Sequence, residues 1–190
     1  MKMWGGHFAP VKVVNLNWNG VVNLTGICTR RDVISYLMPN TYTQIYIQTV
    51  FAVQDRTSLI KAEWKDELYK YITGIIQNNK HKLIAINGVS NHIHVFIGYK
   101  PHQLIPDLLQ DIKGSSSRWI NDKRFTIGKF RWQEGYGAFS YSHSQINSVA
   151  RYIENQEQHH RKITFREEYE KFLKRFDVLY EPQYMLKDIQ

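Results

Sequence analysis

Two histidines, His92 and His94, stand one residue apart in the otherwise apolar stretch VSNHIHVFIGY, residues 89–99. Such a stretch is typical of a β-strand, in which successive side chains point to opposite faces of the sheet. His92 and His94 therefore share one face, where their imidazoles can converge on a metal ion, while Ile93 and Val95 point toward the core. Histidines at this spacing also occur as exposed or hydrogen-bonded side chains without a metal, so the pair alone leaves both interpretations open.

A second polar pair, Tyr152 and Gln156, lies one turn apart on a helix predicted to run from a Ser144 cap to about His160. The apolar residues of this helix recur at the spacing of a docking face, and they are Ile146, Val149, Ala150 and Ile153. Tyr152 and Gln156 lie beside that face, where the two side chains can act together. Helix geometry alone favours the simpler interpretation, a surface tyrosine with an ordinary polar neighbour.

The elements that must position these residues follow from the hydrophobic periods of the chain. The predicted elements are a strand at 42–53, a helix at 60–76, strands at 81–89 and 92–99, a helix at 104–120, a strand or hairpin at 129–142, the helix that bears Tyr152, and a final helix at 164–176. The order β-α-β-β-α-β followed by helices predicts an α+β fold. We expect a ferredoxin-like or RRM-like antiparallel sheet with helices packed on one face, plus a C-terminal helix that carries the tyrosine.

The composition fits an ordinary globular protein with a basic surplus. The chain has 190 residues and a formal net charge of +8, which favours a polyanionic partner such as nucleic acid. A single cysteine, Cys28, excludes a disulfide within the chain and a cysteine-rich zinc site. The sequence has no apolar run long enough to span a bilayer and no secretory signal, so we expect no membrane partner and a cytoplasmic location.

The first part of the chain differs from the rest. Residues 1–37 contain short apolar pairs and many Gly and Asn residues without a sustained helical period. We therefore expect them to be an extension of uncertain structure, with Met38 as an alternative start. The compact pattern, and with it the predicted functional domain, covers residues 38–190.

Several segments of this domain, in this order, resemble a known family. They are MPNTYTQIYIQTVFAV, GVSNHIHVFIGYKP, GSSSRWIN, WQEGYGAFSYS and YIENQEQHH. The set is similar to that of HUH-type single-tyrosine transposases, the TnpA type of IS200/IS605 insertion sequences, whose HUH motif places a large apolar residue between two histidines. His92-Ile93-His94 matches that motif. The resemblance runs from about residue 38 to about residue 180 and leaves out residues 1–37.

The resemblance implies a specific site and reaction. In such enzymes two histidines and a helix glutamine hold one divalent cation, Mg²⁺ or Mn²⁺, and the matching residues here are His92, His94 and Gln156. The helix tyrosine, here Tyr152, is the nucleophile that cleaves single-stranded DNA, forms a 5′-phosphotyrosine and releases a 3′-OH. The resemblance further implies hairpin DNA ends as substrates and a homodimer in which the tyrosine helix can serve the partner's histidines.

Physical chemistry agrees with these expectations. A phosphodiester anion repels a nucleophile, so a cation must neutralise its oxygens. A tyrosine with a pKa near 10 is mostly protonated at neutral pH, so a cation or a base must assist its deprotonation. A covalent intermediate conserves bond energy, which fits the lack of an ATP-binding phosphate loop in the sequence. Basic residues that are candidates to line a DNA path are Lys113, Arg118, Lys129 and Arg131.

Two other functions are open on the sequence. A non-catalytic RRM-like nucleic-acid-binding protein would share the predicted fold, although the aromatic RNP pattern is absent. A metal hydrolase with a water nucleophile would use the histidine pair, but it calls for acidic ligands, and none is expected around the strand of His92. We interpret His159 and His160 as helix-end residues favoured by the helix dipole and do not assign them as ligands.

Overall fold

The computed structural model describes residues 42–56 and 59–181. The expectations for residues 1–37 and for a start at Met38 fall outside the described residues, so the division into an extension and a domain at 38–190 stays a prediction.

Four strands form one antiparallel sheet in the spatial order β2-β3-β1-β4. They are β1 (Ile45–Ala52), β2 (Lys82–Val89), β3 (His92–Tyr99) and β4 (Gly137–Tyr141). β-branched and aromatic residues favour the extended backbone of β1 and β3. β2 and β3 form a hairpin across the turn-prone pair Ser90-Asn91, as predicted.

The histidine strand β3 lies inside the sheet, between β2 and β1. His94 pairs with Val50 of β1, and His92 pairs with Ala52. The backbone of β3 at the two histidines is thus paired with β1 on one side and with β2 on the other. A strand in this position has little freedom to twist or slip, so the spacing of the two imidazoles is fixed by the sheet.

Two helices, α1 (Ala62–Asn78) and α2 (Ile105–Lys123), cover one face of the sheet. Their buried apolar residues pack with the side chains of β3 that alternate with the histidines, Ile93, Val95 and Ile97. The buried residues contributed by the two helices are Trp64, Leu68, Ile72, Ile76, Leu108, Leu109, Ile112 and Ile120. This layer is the main core, and it confirms the predicted α+β fold with a ferredoxin-like sheet.

The opposite face, which bears the histidines, is covered by three further helices. They are α3 (Ile146–Glu154), α4 (Gln156–His159) and α5 (Phe165–Arg175). The apolar residues of α3 and α5 form a second buried cluster with the sheet, which includes Phe96, Phe139, Val149, Ile153, Phe165 and Phe172. Helices therefore lie on both faces, and the tyrosine-bearing segment is part of a second layer.

The helix that bears Tyr152 differs from its prediction at both ends. A capping box formed by Ser142 and Gln145, rather than a Ser144 cap, opens the segment, and the Ser142 N–H donates to Gln145 Oε1 at 3.0 Å. The helix ends at Glu154, and the Asn155 side chain donates to the carbonyl oxygen of Arg151 at 2.7 Å. α4 then begins at Gln156, so a break separates the tyrosine from the glutamine.

Candidate active site

Both histidines of β3 are completely buried beneath the second helical layer, with 0% exposure. His92 Nδ1 lies 2.7 Å from Asn91 Oδ1, and His94 Nδ1 lies 2.9 Å from the side-chain amide nitrogen of Gln48. The ring of Phe165 stacks on His92 with centroids 4.0 Å apart. Each imidazole is therefore held at its Nδ1 side, and the two Nε2 atoms face the space between the sheet and α5.

Tyr152 and Gln156 reach the same space from above. Val149 and Ile153 dock α3 onto the sheet as the apolar period predicts, and both are buried. Tyr152 is partly buried, with its ring edge-on to His94 at a centroid distance of 6.1 Å. Gln156 is 0% exposed. The structure thus brings all four predicted site residues together. Because Tyr152 is partly buried and Gln156 is fully buried, they are not the exposed polar pair that helix geometry alone favoured.

A residue that the sequence did not indicate, Glu168 of α5, lies at the centre of this group with 2% exposure. Its Oε2 is 3.5 Å from His92 Nε2 and 3.2 Å from His94 Nε2. Its Oε1 accepts hydrogen bonds from the Tyr152 hydroxyl and, at 3.0 Å, from Gln156 Nε2. One carboxylate therefore links the histidines to the tyrosine and the glutamine.

The expectation that no acidic residue lies near the histidine strand is wrong. Glu168 is distant in sequence, but α5 returns across the sheet and places it over β3. The signal in the sequence is its position between Phe165 and Phe172, since the three residues share one buried face of α5. A carboxylate within an apolar stripe is unusual unless it is paired.

The two histidines at the end of the tyrosine segment also lie near this carboxylate. His160 Nε2 is 3.1 Å from Glu168 Oε2, and its Nδ1 is 3.1 Å from the carbonyl oxygen of Ile163. His159 is more exposed, with Nε2 3.3 Å from the Tyr152 hydroxyl. One ligand atom from each of His92, His94, His160 and Glu168 falls within 4.8 Å of the others. The interpretation of His160 as only a helix-end residue is therefore too narrow.

Burial dominates the electrostatics of the site. It lowers the pKa of His92 to about 3, so this imidazole is neutral at pH 7. Burial also raises the pKa of the Tyr152 hydroxyl well above its ordinary value, and the nearby Glu168 carboxylate raises it further. Burial alone would raise the pKa of Glu168, but the nearby His94 and the hydrogen bond from His160 outweigh it and hold this pKa below its usual range. Glu168 is thus a buried anion.

The residues present fit a divalent cation. Six buried side-chain atoms have no well-formed hydrogen bond among the residues that the structure describes, and three of them are His92 Nε2, His94 Nε2 and Gln156 Oε1. Native proteins rarely leave buried polar atoms without partners, unless an ion or a ligand supplies the contact. Neutral imidazole and amide oxygen are donors that Mn²⁺ accepts, and Mg²⁺ accepts the oxygen.

Two cavities meet at Tyr152. One, of about 350 Å³, is lined by Tyr152 and Glu168 together with the cationic side chains Lys171 and Arg175. The other, of about 690 Å³, is lined by Tyr152, Arg151, Arg161 and Lys162, among other residues. The tyrosine is therefore accessible from a surface with positive charge, which suits the approach of a phosphate backbone.

Lys113, which was predicted to line a DNA path, forms hydrogen bonds within the fold instead. Lys113 Nζ donates to the main-chain oxygens of Gln133 at 2.6 Å and Gly135 at 2.8 Å, and burial lowers its pKa. These bonds tie α2 to the loop before β4. Lys113 is thus a structural clamp, and the prediction that it lines a DNA path has no support in its contacts.

The sequence model of the IS200-like transposase family matches residues 41–156, more than half of the chain and a span that includes all four predicted site residues. The chain belongs to this family. It is similar to the ISDra2 transposase TnpA of Deinococcus radiodurans, at 25% identity over 118 residues that cover 60% of this chain and 84% of the relative. The IS200-like transposase is therefore an enzyme of insertion-sequence transposition and DNA recombination.

Solved structures agree with this assignment at the level of the fold. A structure described as a transposase from Deinococcus radiodurans R1 superposes with a TM-score of 0.50 at 22% identity, covering 63% of this chain and 95% of that chain. A REP-associated tyrosine transposase bound to a REP hairpin superposes with a TM-score of 0.50 at 12% identity, covering 65% of this chain and 73% of that chain. Both share the α+β fold of this IS200-like transposase. No helix among the described residues of this transposase is long and apolar enough to cross a membrane.

Proposed function

We propose that this transposase cleaves and rejoins single-stranded DNA through a covalent 5′-phosphotyrosine on Tyr152. The observation that carries the proposal is the position of the Tyr152 hydroxyl, which shares the Glu168 carboxylate with the Nε2 atoms of His92 and His94. A nucleophile and a set of cation-binding donors thus meet at one carboxylate, beside a positively charged cavity. This is the arrangement that transesterification of a phosphodiester requires.

The proposed reaction exchanges one ester bond for another. The Tyr152 oxygen bonds to phosphorus, the bond from phosphorus to the 3′ oxygen breaks, and that oxygen leaves as a 3′-OH with the proton that the tyrosine gives up. Strand transfer reverses the step when a new 3′-OH attacks the phosphotyrosine. Bond energy is retained throughout, so no nucleotide cofactor is needed.

His92, His94 and Gln156 are the proposed ligands of the cation, Mg²⁺ or Mn²⁺, which would neutralise and polarise the phosphate oxygens. The chain's own residues prepare this role before any ion arrives. Asn91 accepts from His92 Nδ1 and so leaves the lone pair of Nε2 directed into the site. Glu168 holds the Tyr152 hydroxyl in place, and it also raises the pKa that must be overcome for attack.

Hairpin DNA is the proposed substrate. The basic side chains around Tyr152, including Arg151, Lys171 and Arg175, support a phosphate backbone that passes over the nucleophile. One structural neighbour is a tyrosine transposase bound to a REP hairpin, which supports the same class of substrate here. A homodimer with a shared active site stays a prediction, and within one described chain Tyr152 lies at the histidines of the same chain.

The geometry of the site also bears on two other functions, metal-dependent hydrolysis and RRM-like nucleic-acid binding. Metal-dependent hydrolysis gains support from Glu168, because this carboxylate supplies the acidic ligand that a water-based mechanism calls for. An RRM-like binding protein loses support, because such proteins stack bases on an open sheet face, and helices cover both faces of this sheet. Tyrosine attack and hydrolysis differ in one product, the covalent adduct.

The test is to incubate the full chain with labelled single-stranded hairpin DNA and Mn²⁺ and to separate the products on a denaturing gel. We expect a protein–DNA adduct that Tyr152→Phe abolishes. Tyr141→Phe is the matched control, because Tyr141 lines the same cavity and should leave the adduct intact. Cleavage without an adduct in the unsubstituted protein would favour hydrolysis, and an adduct that persists in Tyr152→Phe would remove Tyr152 from the mechanism.

A further inference from the structure

The Glu168 carboxylate lies among imidazole nitrogens, the Gln156 amide and the Tyr152 hydroxyl. Its described ion-pair contacts are all with histidines, His92, His94, His159 and His160. Buried charged groups in proteins are paired or coordinate metal ions, so a buried carboxylate whose partners are imidazoles is a candidate metal ligand.

The distances around Glu168 Oε2 match those between neighbouring ligands of one ion. Ligand atoms about 2.1 Å from a metal lie about 3.0 Å apart in an octahedral site and about 3.4 Å apart in a tetrahedral one. Glu168 Oε2 is 3.2 Å from His94 Nε2 and 3.5 Å from His92 Nε2. Both contacts therefore already have about the length that separates two neighbouring ligands of one ion.

The charge of the proposed site also favours Glu168 as a ligand. The ligands that the HUH pattern supplies, His92, His94 and Gln156, are all neutral, so they would leave a buried dication without an anion. Mg²⁺ and Mn²⁺ prefer oxygen donors and carboxylates above all. Glu168 brings an oxygen and a negative charge to the same point, from an element that lies outside the matched family segment, residues 41–156.

We infer that Glu168 is a further, anionic ligand of the cation, bound through Oε2. The inference rests on the proposed metal site at His92 and His94. Glu168 Oε1 stays hydrogen-bonded to the Tyr152 hydroxyl, so one carboxylate connects the ion and the nucleophile and sets their separation. α5 is thereby part of the active site, in addition to covering the sheet.

Mn²⁺ binding by the full chain tests this inference without reference to activity. Free Mn²⁺ is measured by its electron paramagnetic resonance signal during titration of the unsubstituted protein, Glu168→Gln, Glu170→Gln and His94→Ala. Glu170→Gln removes the same charge from the same helix at a partly exposed side chain that pairs with Arg166, so it is the matched control. We expect Glu168→Gln to weaken Mn²⁺ binding at least tenfold and Glu170→Gln to leave it unchanged.

Each other outcome has a separate meaning. If Glu168→Gln binds Mn²⁺ as well as the unsubstituted protein, or better, while His94→Ala loses binding, Glu168 is not a ligand and the histidine site stands. If His94→Ala binds as well as the unsubstituted protein, the proposed metal site is wrong and the inference falls with it. If Glu168→Gln does not fold, Glu168→Asp replaces it in the test. The shorter side chain keeps the negative charge but moves the carboxylate oxygens away from the histidines. Unchanged Mn²⁺ affinity and an unchanged visible spectrum of bound Co²⁺ in that variant would overturn the inference.

Discussion

Acidification of the metal-free protein should reveal the buried neutral state of His92. Its pKa is lowered to about 3 by burial, whereas a histidine in an unfolded chain has a pKa of about 6.5. Between these values the unfolded chain binds a proton that the folded chain does not. The free energy of unfolding therefore falls as the pH drops below 6.5 and continues to fall until the folded-state pKa is reached.

The magnitude follows from the two pKa values. At pH 5 the unfolded histidine is almost fully protonated and the folded one is almost fully neutral, which costs the fold about 2 kcal/mol. At pH 7 the same difference costs only a few tenths, roughly 0.2 kcal/mol. His92 alone should thus remove about 2 kcal/mol of stability between pH 7 and pH 5. Glu168 contributes little in this window, because a glutamate in an unfolded chain takes up its proton only at about pH 4.3 and the folded-state pKa is lower still.

Urea denaturation in the presence of a chelator, followed by circular dichroism from pH 7 to pH 5, measures the effect. The comparison is between the unsubstituted protein and His92→Asn, which removes the titrating group. His143→Asn is the control, because His143 is exposed. We expect His92→Asn to lose about 2 kcal/mol less than the unsubstituted protein over this range. An equal loss in both proteins would refute the assignment of His92 as a buried neutral imidazole.

Three further changes probe how the fold holds the site. Ser116→Ala removes the hydroxyl that accepts from Trp132 Nε1 at 2.8 Å in the core, and it should destabilise the fold by about 1–3 kcal/mol in urea denaturation; no change would show that the indole finds another acceptor. Gly88→Ala should destabilise by a similar amount or more, because a Cβ there would lie 2.2 Å from the His92 carbonyl oxygen; full stability by thermal melting would contradict this register of β2 and β3. Gln48→Leu removes the side chain that holds His94 Nδ1, so Mn²⁺ affinity should fall about tenfold or more, and an unchanged titration would exclude this positioning role.

The local parts of this structure could be predicted from the sequence, because they depend on periods of a few residues. The shared face of His92 and His94 follows from the two-residue repeat of a strand, and β1, α1 and α2 follow from their apolar patterns. The same holds for the docking of α3 through Val149 and Ile153. These features follow from the order of apolar and polar residues within each element. They can therefore be predicted without knowing which distant segment the element contacts.

The remaining features depend on contacts between distant segments. Glu168 lies in a helix rich in charge, FREEYEKFLKR, and the only signal of its burial is its position on the face of Phe165 and Phe172. Its partners follow only from the packing of α5 across β3, where Phe165 stacks on His92. The break at Asn155 is hidden in the sequence, since the helical pattern of α3 continues to Gln156 without a proline or glycine. The burial of Gln156 likewise depends on α5.

The proposed mechanism requires that DNA becomes attached to Tyr152, and mass spectrometry can locate that bond. After reaction with a hairpin oligonucleotide and Mn²⁺, nuclease and trypsin digestion releases the peptide YIENQEQHHR, residues 152–161, in which Tyr152 is the only tyrosine. We predict that this peptide carries a 5′-linked nucleotide phosphate. A nucleotide on a peptide that lacks Tyr152, or cleaved DNA with this peptide unmodified, would contradict the account.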